Sequence, residues 1–474
     1  MLDSWVYAVN KGLFMKLNSE SRRVKRISVE KLFGLYDHEI SLNVDDRLTI
    51  IHGPNGAGKT VMLKLTYSML SGNVFDLDQY PYERFSVCFT DGSEVIAVRK
   101  NAVLRDQKKQ SPISIITKSE NGETHQIELD SASLKRAASV IERNSPIRQL
   151  SENQWLDLAS EEVLDAVDVV KRYAGNLTED RMSSLLKKSG IEFLLKFQKT
   201  HGVHFIEAQR LIKINEHPKD EPFYQRRESA SSTETVVEYS NDLKKKIETT
   251  LADYAKRSQQ LDQSFPQRLL TTNSESMSDI AIGLGMNEIQ EKQLTYQSLG
   301  LISKASAGAY PFDSAQAEGL DDAKKAVMAV YVRDTKEKFE VLDDLAGRVN
   351  LLLKNINAKF RNKEIVVSRE RGLTVKTPSS DELPISALSS GEQHEIVLMY
   401  DLLFRIKPNT LVMIDEPELS LHVNWQERFL SDLSEVIKVA GFDALIATHS
   451  PYIISDRSDL LIELSTDVKK LEKV

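Results

Sequence analysis

The sequence has little cysteine and no long apolar run. Its single cysteine, Cys88, excludes an internal disulfide and any zinc site that needs two or more thiolates. No stretch approaches the roughly 20 apolar residues that a membrane-spanning helix requires. The first residues also lack the continuous apolar core and the small-residue cleavage site of a secretory signal. We therefore expect a cytoplasmic protein without membrane contact.

An excess of positive charge is also missing. The chain has 474 residues with 62 basic and 70 acidic side chains, which gives a formal net charge of −8 at pH 7. Bulk attraction therefore does not favour binding to nucleic acid, and any such binding needs a local basic patch. Hydrophobic residues make up 41% of the chain and charged residues 28%, which is typical of a globular protein. The length predicts two or three domains.

A glycine-rich motif predicts a phosphate-binding loop. Leu48–His52 reads as a buried strand, and the apolar spacing after residue 60 is that of a helix. The motif between them matches G-x-x-x-x-G-K-[S/T], in which glycines let backbone N–H groups point at phosphate oxygens. We expect Lys59 to reach the β- and γ-phosphates and the Thr60 hydroxyl to bind Mg²⁺. The motif consists of Gly53, Pro54, Asn55, Gly56, Ala57, Gly58, Lys59 and Thr60.

A carboxylate pair follows an apolar run near the other end of the chain. Residues 411–414 read as a strand buried on both faces, and Asp415 and Glu416 come directly after it. We expect Asp415 to hold Mg²⁺, directly or through water, and Glu416 to act as the general base for an attacking water. We interpret Glu418 as a structural residue or as one that faces a neighbouring subunit.

A serine-rich turn predicts a second anion-binding segment. It precedes a helical pattern, so its hydroxyl and free N–H groups stand at a helix N-terminus. In most proteins such a turn is a plain helix cap. Its place shortly before Asp415, in a chain with a phosphate loop, favours ligand contact instead. The turn begins at Leu388 and continues with the candidate ligand-binding residues Ser389, Ser390, Gly391 and Glu392.

Two residues that follow apolar runs are candidates for catalysis. His449 comes after residues 444–447, where a histidine can donate a hydrogen bond to the charge that develops in phosphoryl transfer. Gln209 comes after residues 203–206 and is expected to sense Mg²⁺ and the attacking water. Context alone supports the role of Gln209.

The rest of the chain predicts the elements around these motifs. Asp91-Gly92 and Asn121-Gly122 separate paired strand-like runs and predict hairpins. Two apolar seams in 243–261 and 342–356 predict an antiparallel helical hairpin or small bundle, with two amphipathic helices of a compact domain as the alternative. Residues 131–200 read as helical. The core candidates there are Val140, Leu150, Trp155, Leu156, Val163, Val167, Val170, Leu185, Phe193 and Leu194.

The order of these motifs resembles that of an ABC-type ATPase. It is similar to the SMC, RecF, Rad-type and OLD branch rather than to transporter subunits, over residues 24–212 and 362–465. The resemblance implies an α/β fold, namely a P-loop ATPase head with a mixed sheet, helices and an antiparallel β subdomain, plus an inserted α-helical hairpin or bundle. The expected parts are an N-terminal extension (1–23), the first part of the head (24–212), the helical insertion (213–361) and the second part of the head (362–474).

The same resemblance implies ATP and Mg²⁺ as cofactors and a homodimer or larger oligomer. In ABC-type ATPases the serine-rich signature completes the nucleotide site of a second subunit. This signature reads Leu-Ser-Ser-Gly-Glu where transporters have Leu-Ser-Gly-Gly-Gln. His422 stands where transporter ATPases carry an aspartate, which puts the usual communication between subunits in doubt.

More narrowly, residues 388–454 and 205–211 resemble ATPases of bacterial antiphage systems, the PARIS type first and the Septu type as the alternative. This implies a separate effector, a nuclease or toxin, and a phage protein as trigger. Few residues follow His449, so we expect any cleavage to be performed by a partner. The alternative function is a RecF-like repair ATPase that contacts DNA directly through basic clusters such as 244–246. A scaffold without hydrolysis is disfavoured by the complete set of catalytic side chains.

Overall fold

The chain divides into two units in the computed structural model. Unit 1 draws on Met1–Glu228 and Ile406–Val474, and unit 2 is Ser229–Arg405. Within the described part of the chain, no helix has the length and apolar character needed to cross a membrane. The described residues are 22–71, 77, 79–99, 113–129, 131–143, 145–151, 154–160, 162–173, 202–207, 232–271, 277–302, 321–379, 382–419 and 423–464.

Runs of strands are separated by helices along the described residues. The strands are β1 Val24–Leu32, β2 Tyr36–Ser41, β3 Leu48–His52, β4 Arg84–Phe89, β5 Glu94–Arg99, β6 Ile113–Lys118, β7 Thr124–Leu129, β8 Ile147–Ser151, β9 Gln154–Asp157, β10 Val163–Leu164, β11 Val203–Glu207, β12 Glu364–Ser368, β13 Gly372–Lys376, β14 Glu382–Pro384, β15 Leu411–Asp415, β16 Asp443–Ala447 and β17 Leu461–Glu463. The helices are α1 Lys59–Ser71, α2 Ser131–Glu142, α3 Ala166–Tyr173, α4 Ser232–Thr271, α5 Asp279–Ser298, α6 Asp322–Asn357, α7 Ser390–Tyr400, α8 Val423–Ala440 and α9 Pro451–Ile454, with a π-helical turn Asp401–Arg405 after α7.

A five-stranded parallel sheet forms the centre of unit 1. Its strand order is β11-β15-β16-β3-β17, and all four neighbouring pairs are parallel. Strands β15 and β16 are buried along their whole length, as their continuous apolar sequences predict. Asp415 lies opposite Ala447, and Ala447 lies opposite Ile51. The carboxyl ends of β3, β15 and β16 therefore meet at one edge of the sheet.

A six-stranded antiparallel sheet accompanies it, with the order β2-β1-β4-β5-β6-β7. The β4–β5 and β6–β7 hairpins turn where the Asp-Gly and Asn-Gly pairs predict. Gly92 and Gly122 have φ angles of 83° and 79°, a region that glycine enters without a steric penalty. This sheet confirms the predicted antiparallel β subdomain.

The prediction that residues 131–200 are helical is wrong in part. Helices α2 and α3 are present, but β8, β9 and β10 between them form a three-stranded antiparallel sheet. Trp155 is fully buried, whereas Leu150 and Val163, predicted as core, are 50% and 54% exposed. Alternation of faces along short strands explains this, since neighbouring residues point to opposite sides. The side chain of Val167 and residues 174–201 lie outside the described part.

Trp155 is expected to be a major contributor to the stability of unit 1. Replacing it with alanine should lower the free energy of unfolding by about 3–5 kcal/mol, because a large cavity would remain in a packed core. Leu158→Ala is the matched control, since Leu158 is 56% exposed, and should change the free energy of unfolding by less than about 0.5 kcal/mol. Urea unfolding followed by far-ultraviolet circular dichroism measures both. Equal losses in the two variants would contradict the burial of Trp155.

Three long helices form a bundle in unit 2, which confirms the predicted insertion and makes it a bundle rather than a hairpin. Ion pairs between α4 and α6 show that these helices are antiparallel, because later residues of α4 meet earlier residues of α6. Those between α5 and α6 show a parallel arrangement. The pairs are Arg257–Glu337 and Arg268–Asp334 for α4 with α6, and Asp279–Lys325 and Lys292–Asp343 for α5 with α6.

Unit 2 also contains residues 362–405, which carry the signature. Tyr400 of α7 donates a hydrogen bond to Asp242 of α4, with 2.6 Å between Oη and Oδ2. The Leu373 N–H of β13 donates to the Ser240 hydroxyl of α4 at 2.8 Å. The N-terminal part of α4 is therefore hydrogen-bonded to both the signature helix α7 and the β12–β14 sheet.

Candidate functional site

The turn between β3 and α1 has the backbone that the phosphate-loop motif predicts. Gly56 and Gly58 have φ angles of 85° and 89°, which disfavour residues with a side chain. A Cβ atom on Gly58 would also lie 2.6 Å from Cδ2 of Leu32. Inside the turn, Nε2 of the buried His38 lies 2.8 Å from the Ala57 carbonyl oxygen. The loop is thus held by a strand of the antiparallel sheet.

Lys59 is the first residue of α1 and is only 5% exposed. Its ammonium donates to the carbonyl oxygens of Gly53 at 2.9 Å and Pro54 at 3.3 Å. Its Nζ also lies 2.5 Å from Nε2 of His449. Burial lowers the pKa of Lys59, and the carboxylates nearby oppose that shift. The ammonium therefore rests on internal acceptors that phosphate oxygens can replace.

Thr60 and Asp415 meet where the sequence predicts a metal site. The Thr60 hydroxyl donates to Oδ1 of Asp415 at 3.2 Å. A hydroxyl and a carboxylate oxygen fit Mg²⁺, which takes few ligands from protein and completes its octahedron with phosphates and water. Among the described residues, no group of three or more His, Cys, Asp or Glu side chains is placed to hold a metal. The donor set therefore suits a metal bound together with a nucleotide.

Glu416 stands at the edge of the sheet in an unusual backbone conformation. Its φ angle is 49°, a region that non-glycine residues rarely adopt and that is enriched at functional sites. Its N–H donates to the Ala447 carbonyl oxygen at 2.8 Å. The bond holds the chain just after β15 against the end of β16. Glu416 is partly exposed and so remains accessible to water.

His449 lies beside the phosphate loop, at the turn that follows β16. Burial, and then the charge of Lys59, lower the pKa of His449 below its usual value. The rings of His52 and His449 are 6.2 Å apart in an edge-on arrangement. Sequence reasoning missed His52, although its position directly before the glycine loop was a usable signal. These placements set His449 beside Lys59, in surroundings that disfavour the protonated imidazole.

The serine-rich signature caps helix α7 in unit 2. The Glu392 carboxylate accepts hydrogen bonds from the Ser389 N–H and hydroxyl, each at 2.8 Å. Lys363 of the segment before β12 donates to the same carboxylate at 2.9 Å. Ser389, Ser390 and Gly391 are exposed, and a Cβ atom on Gly391 would meet nothing within 4 Å. The N-terminus of α7 is therefore accessible to a ligand.

Sequence reasoning also missed an apolar turn next to the phosphate loop. Phe33 and Leu35 connect β1 to β2 and are 39% and 51% exposed. Cε2 of Phe33 is 4.0 Å from the position of a Cβ atom on Gly58. Two large apolar side chains on either side of a glycine, Gly34, were the available signal. Gln209 lies outside the described residues, so its placement stays a prediction.

One edge of the parallel sheet thus gathers most of the predicted residues. It holds the phosphate loop, both carboxylates and the histidine, while the signature lies in the other unit. The gathered residues are Gly53, Pro54, Asn55, Gly56, Ala57, Gly58, Lys59, Thr60, Asp415, Glu416 and His449.

Comparisons with known proteins agree on a nucleotide-binding domain. The family model described as AAA ATPase domain matches residues 24–454. A curated relative, the lipoprotein-releasing system ATP-binding protein LolD 1 of Rhodospirillum rubrum, is 26% identical over 177 residues, which cover 36% of this chain and 76% of that protein.

Solved structures of SMC head domains also match. The head domain from Thermotoga maritima is 14% identical with a TM-score of 0.32, covering 93% of this chain and 94% of that one. The Smc head domain with an extended coiled coil, bound to the C-terminal domain of ScpA, from Pyrococcus furiosus is 14% identical with a TM-score of 0.31, covering 93% of both chains.

Proposed function

This chain belongs to the AAA ATPase domain family, and from that premise we propose that it binds ATP with Mg²⁺ and hydrolyses it between two subunits. The observation that carries the proposal is the contact of Lys59 with His449, together with that of Thr60 with Asp415, at one sheet edge. Both pairs join residues far apart in sequence, and their closeness supports a single phosphate site.

The proposed reaction assigns a task to each side chain. Lys59 exchanges the Gly53 and Pro54 carbonyls for phosphate oxygens, which it binds as a charged donor. Thr60 and Asp415 hold Mg²⁺, which neutralises charge on the phosphates when bound. Glu416 takes the proton of the attacking water.

Three further residues support that chemistry in the proposal. His449 donates to the charge that develops on the γ-phosphate. Gln209 is assigned to the water and the metal from the sequence alone. Phe33, exposed beside Gly58, offers an aromatic face on which the adenine can stack.

We assign the signature to the site of a second subunit. Ser389, Ser390 and Gly391 offer hydroxyl and N–H donors at an exposed helix N-terminus, which favours anions through its dipole. Hydrolysis removes the γ-phosphate that both subunits hold, so the bound nucleotide controls assembly. The minimum active unit is then a homodimer.

Ser389→Arg tests the composite site. We expect ATP binding by the monomer to stay as in the wild type, while turnover falls by about 100-fold, because a side chain far larger than serine blocks the second donor surface. Ser298→Arg is the matched control, since Ser298 is also exposed and lies on α5 of the same unit. Binding of a fluorescent ATP analogue and phosphate release measure the two effects. Equal loss of binding and turnover would contradict a composite site.

A mixing experiment sharpens this test. A heterodimer of Ser389→Arg and Lys59→Ala chains has one intact site, made of the phosphate loop of one chain and the signature of the other. Mixing two inactive variants should therefore restore part of the wild-type turnover. Failure to restore any turnover in a mixture that forms dimers would contradict the arrangement.

We further propose that assembly controls a separate effector, a nuclease or toxin, in antiphage defence with a phage protein as trigger. The support is the sequence resemblance of residues 388–454 to such ATPases, AriA of the PARIS system first and PtuA of Septu as the alternative. Co-purification with the product of the neighbouring gene and phage plating with Glu416→Gln test this role. Phage protection that is unchanged by Glu416→Gln would contradict it.

Direct DNA clamping is the alternative function. One of its basic clusters is partly neutralised, because Lys244 and Lys246 form ion pairs with Glu248 and Asp242 on the same helix. Anisotropy of labelled duplex DNA at low and moderate salt distinguishes the two functions, since phosphate contacts give strongly salt-dependent affinity. Tight, salt-dependent binding would favour the clamp.

A further inference from the structure

The carboxylate of Glu418 links two loops of the candidate site in unit 1. Oε1 accepts a hydrogen bond from the His449 N–H at 2.7 Å. Oε2 accepts one from the Thr448 hydroxyl at 2.8 Å. Glu418 lies two residues after Glu416, in the short helical turn Pro417–Leu419. One side chain therefore connects the segment of the expected general base with the segment of the expected phosphate-binding histidine.

Further hydrogen bonds extend this link. Gln426 of α8, only 8% exposed, donates through Nε2 to the Glu418 carbonyl oxygen at 3.3 Å. Its Oε1 accepts from the Ser450 hydroxyl at 2.8 Å, and the Ser450 N–H donates to the Thr448 hydroxyl at 2.9 Å. The residues on both sides of His449 are thus fixed to the loop that follows β15.

The Glu418 carboxylate is committed to these contacts. With one oxygen on a backbone N–H and the other on a buried hydroxyl, it is poorly placed to act as a base. The bond to the N–H of His449 fixes the backbone position of that residue, two positions after the end of β16. The other end of His449 is its imidazole, which contacts Lys59. The bond therefore bears on the histidine that contacts the Lys59 ammonium.

We propose that Glu418 is a positioning residue for ATP hydrolysis, which holds His449 at the correct distance from the phosphate loop and from Glu416. The inference rests on the proposed function, because it assigns Glu418 a task in that same site. The effect comes from geometry, since a displacement of about 1 Å of a reacting group can cost about 100-fold in rate. Binding of ATP depends on Glu418 much less, because the phosphate loop holds it.

Glu418→Ala and Glu418→Gln separate position from charge. We expect Glu418→Ala to lower kcat by about 10- to 100-fold and to change the KM for ATP by less than about threefold. Glu418→Gln should retain most of the rate, because its carbonyl accepts from the His449 N–H while its amide donates to the Thr448 hydroxyl. Glu427→Ala is the matched control, since Glu427 is exposed on α8. A wild-type kcat in Glu418→Ala, or an equal loss in both Glu418 variants, would overturn the proposal.

A double-mutant cycle tests whether Glu418 acts through His449. Adding Glu418→Ala to His449→Ala should cost little further rate, since residues that act as a unit are strongly non-additive. Full additivity would show that Glu418 acts elsewhere and would overturn the proposal. Thermal unfolding of each variant shows whether it is folded. Thr448→Val, which removes one of the two contacts, should give an intermediate loss even if Glu418→Ala fails to fold.

A spectroscopic readout does not depend on hydrolysis. In the nucleotide-free chain labelled with ¹³C-histidine, the Cε1–H signal of His449 is identified by its loss in His449→Ala. It should move to the position of an exposed histidine in Glu418→Ala and remain dispersed in Glu418→Gln. An unmoved signal in Glu418→Ala would overturn the positioning role even in a chain without ATPase activity. If the wild-type chain does not hydrolyse ATP but the His449 signal still moves in Glu418→Ala, only the proposed function is contradicted.

Discussion

Replacing Glu416 with glutamine is expected to lower kcat for ATP hydrolysis by about 100- to 10,000-fold, the range that a positioned general base contributes. Glutamine keeps the size and the hydrogen-bonding capacity of the side chain but cannot accept the proton of the attacking water. The left-handed backbone at Glu416 and its N–H bond to Ala447 are unaffected by this change. ATP binding should therefore persist, and the ATP-bound dimer should accumulate.

Phosphate release and light scattering after size-exclusion chromatography measure turnover and assembly of Glu416→Gln with Mg²⁺ and ATP. Glu427→Gln, at an exposed position on α8, is the control and should resemble the wild type in both measurements. Turnover at the wild-type rate would remove Glu416 as the base. A monomer at saturating nucleotide would contradict the sharing of ATP between subunits.

Replacing Lys59 with alanine is expected to raise the Kd for ATP by about 10- to 100-fold, since hydrogen bonds to charged groups contribute about 1.5–3 kcal/mol. The lysine is buried in the turn with its ammonium at the Gly53 carbonyl. Assembly should fail because the nucleotide no longer occupies the site. Glu416→Gln and Lys59→Ala thus have opposite expected effects on the dimer.

Isothermal titration with ATP and Mg²⁺ measures this affinity, and size-exclusion chromatography measures assembly. Lys438→Ala is the control, because Lys438 is exposed on α8 and should leave the Kd unchanged. Unaltered ATP affinity in Lys59→Ala would place the phosphates elsewhere. The alanine also leaves two loop carbonyls without their donor, so thermal unfolding should accompany the titration.

The sequence predicted the elements that carry strong local patterns. The run 411–414 is continuous in apolar residues and is a buried strand, because a parallel strand covered on both faces needs no polar positions. Gly92 and Gly122 mark hairpins because their turns require left-handed backbone. The secondary-structure prediction was wrong around Trp155 because β8 to β10 are short. A few alternating residues cannot be told from a fragment of a helix by the spacing of their apolar side chains.

The candidate site was likewise predictable only where its residues belong to a local sequence pattern. The candidates Lys59, Thr60 and Asp415 were found in the sequence because the glycine-rich and strand-end patterns that point to them are local, and their roles stay predictions. Glu418 was interpreted as structural or as facing a neighbouring subunit, because its contacts to Thr448 and His449 join loops 30 residues apart in the chain. Such a contact leaves no pattern in either segment alone.

The sequence by itself determined the glycine-rich turn between β3 and α1, the carboxylate pair at the end of β15 and the buried strands, since each depends on the spacing of residue types within a few positions. Only the tertiary structure decided that residues 362–405 share a unit with the helical bundle, that Phe33 lies beside Gly58, and that Glu418 holds the His449 turn. Contacts between segments far apart in the chain cause this difference. For Glu418 and His449, a parallel sheet with the order β11-β15-β16-β3-β17 places the ends of β15 and β16 side by side, and no local pattern records that neighbourhood.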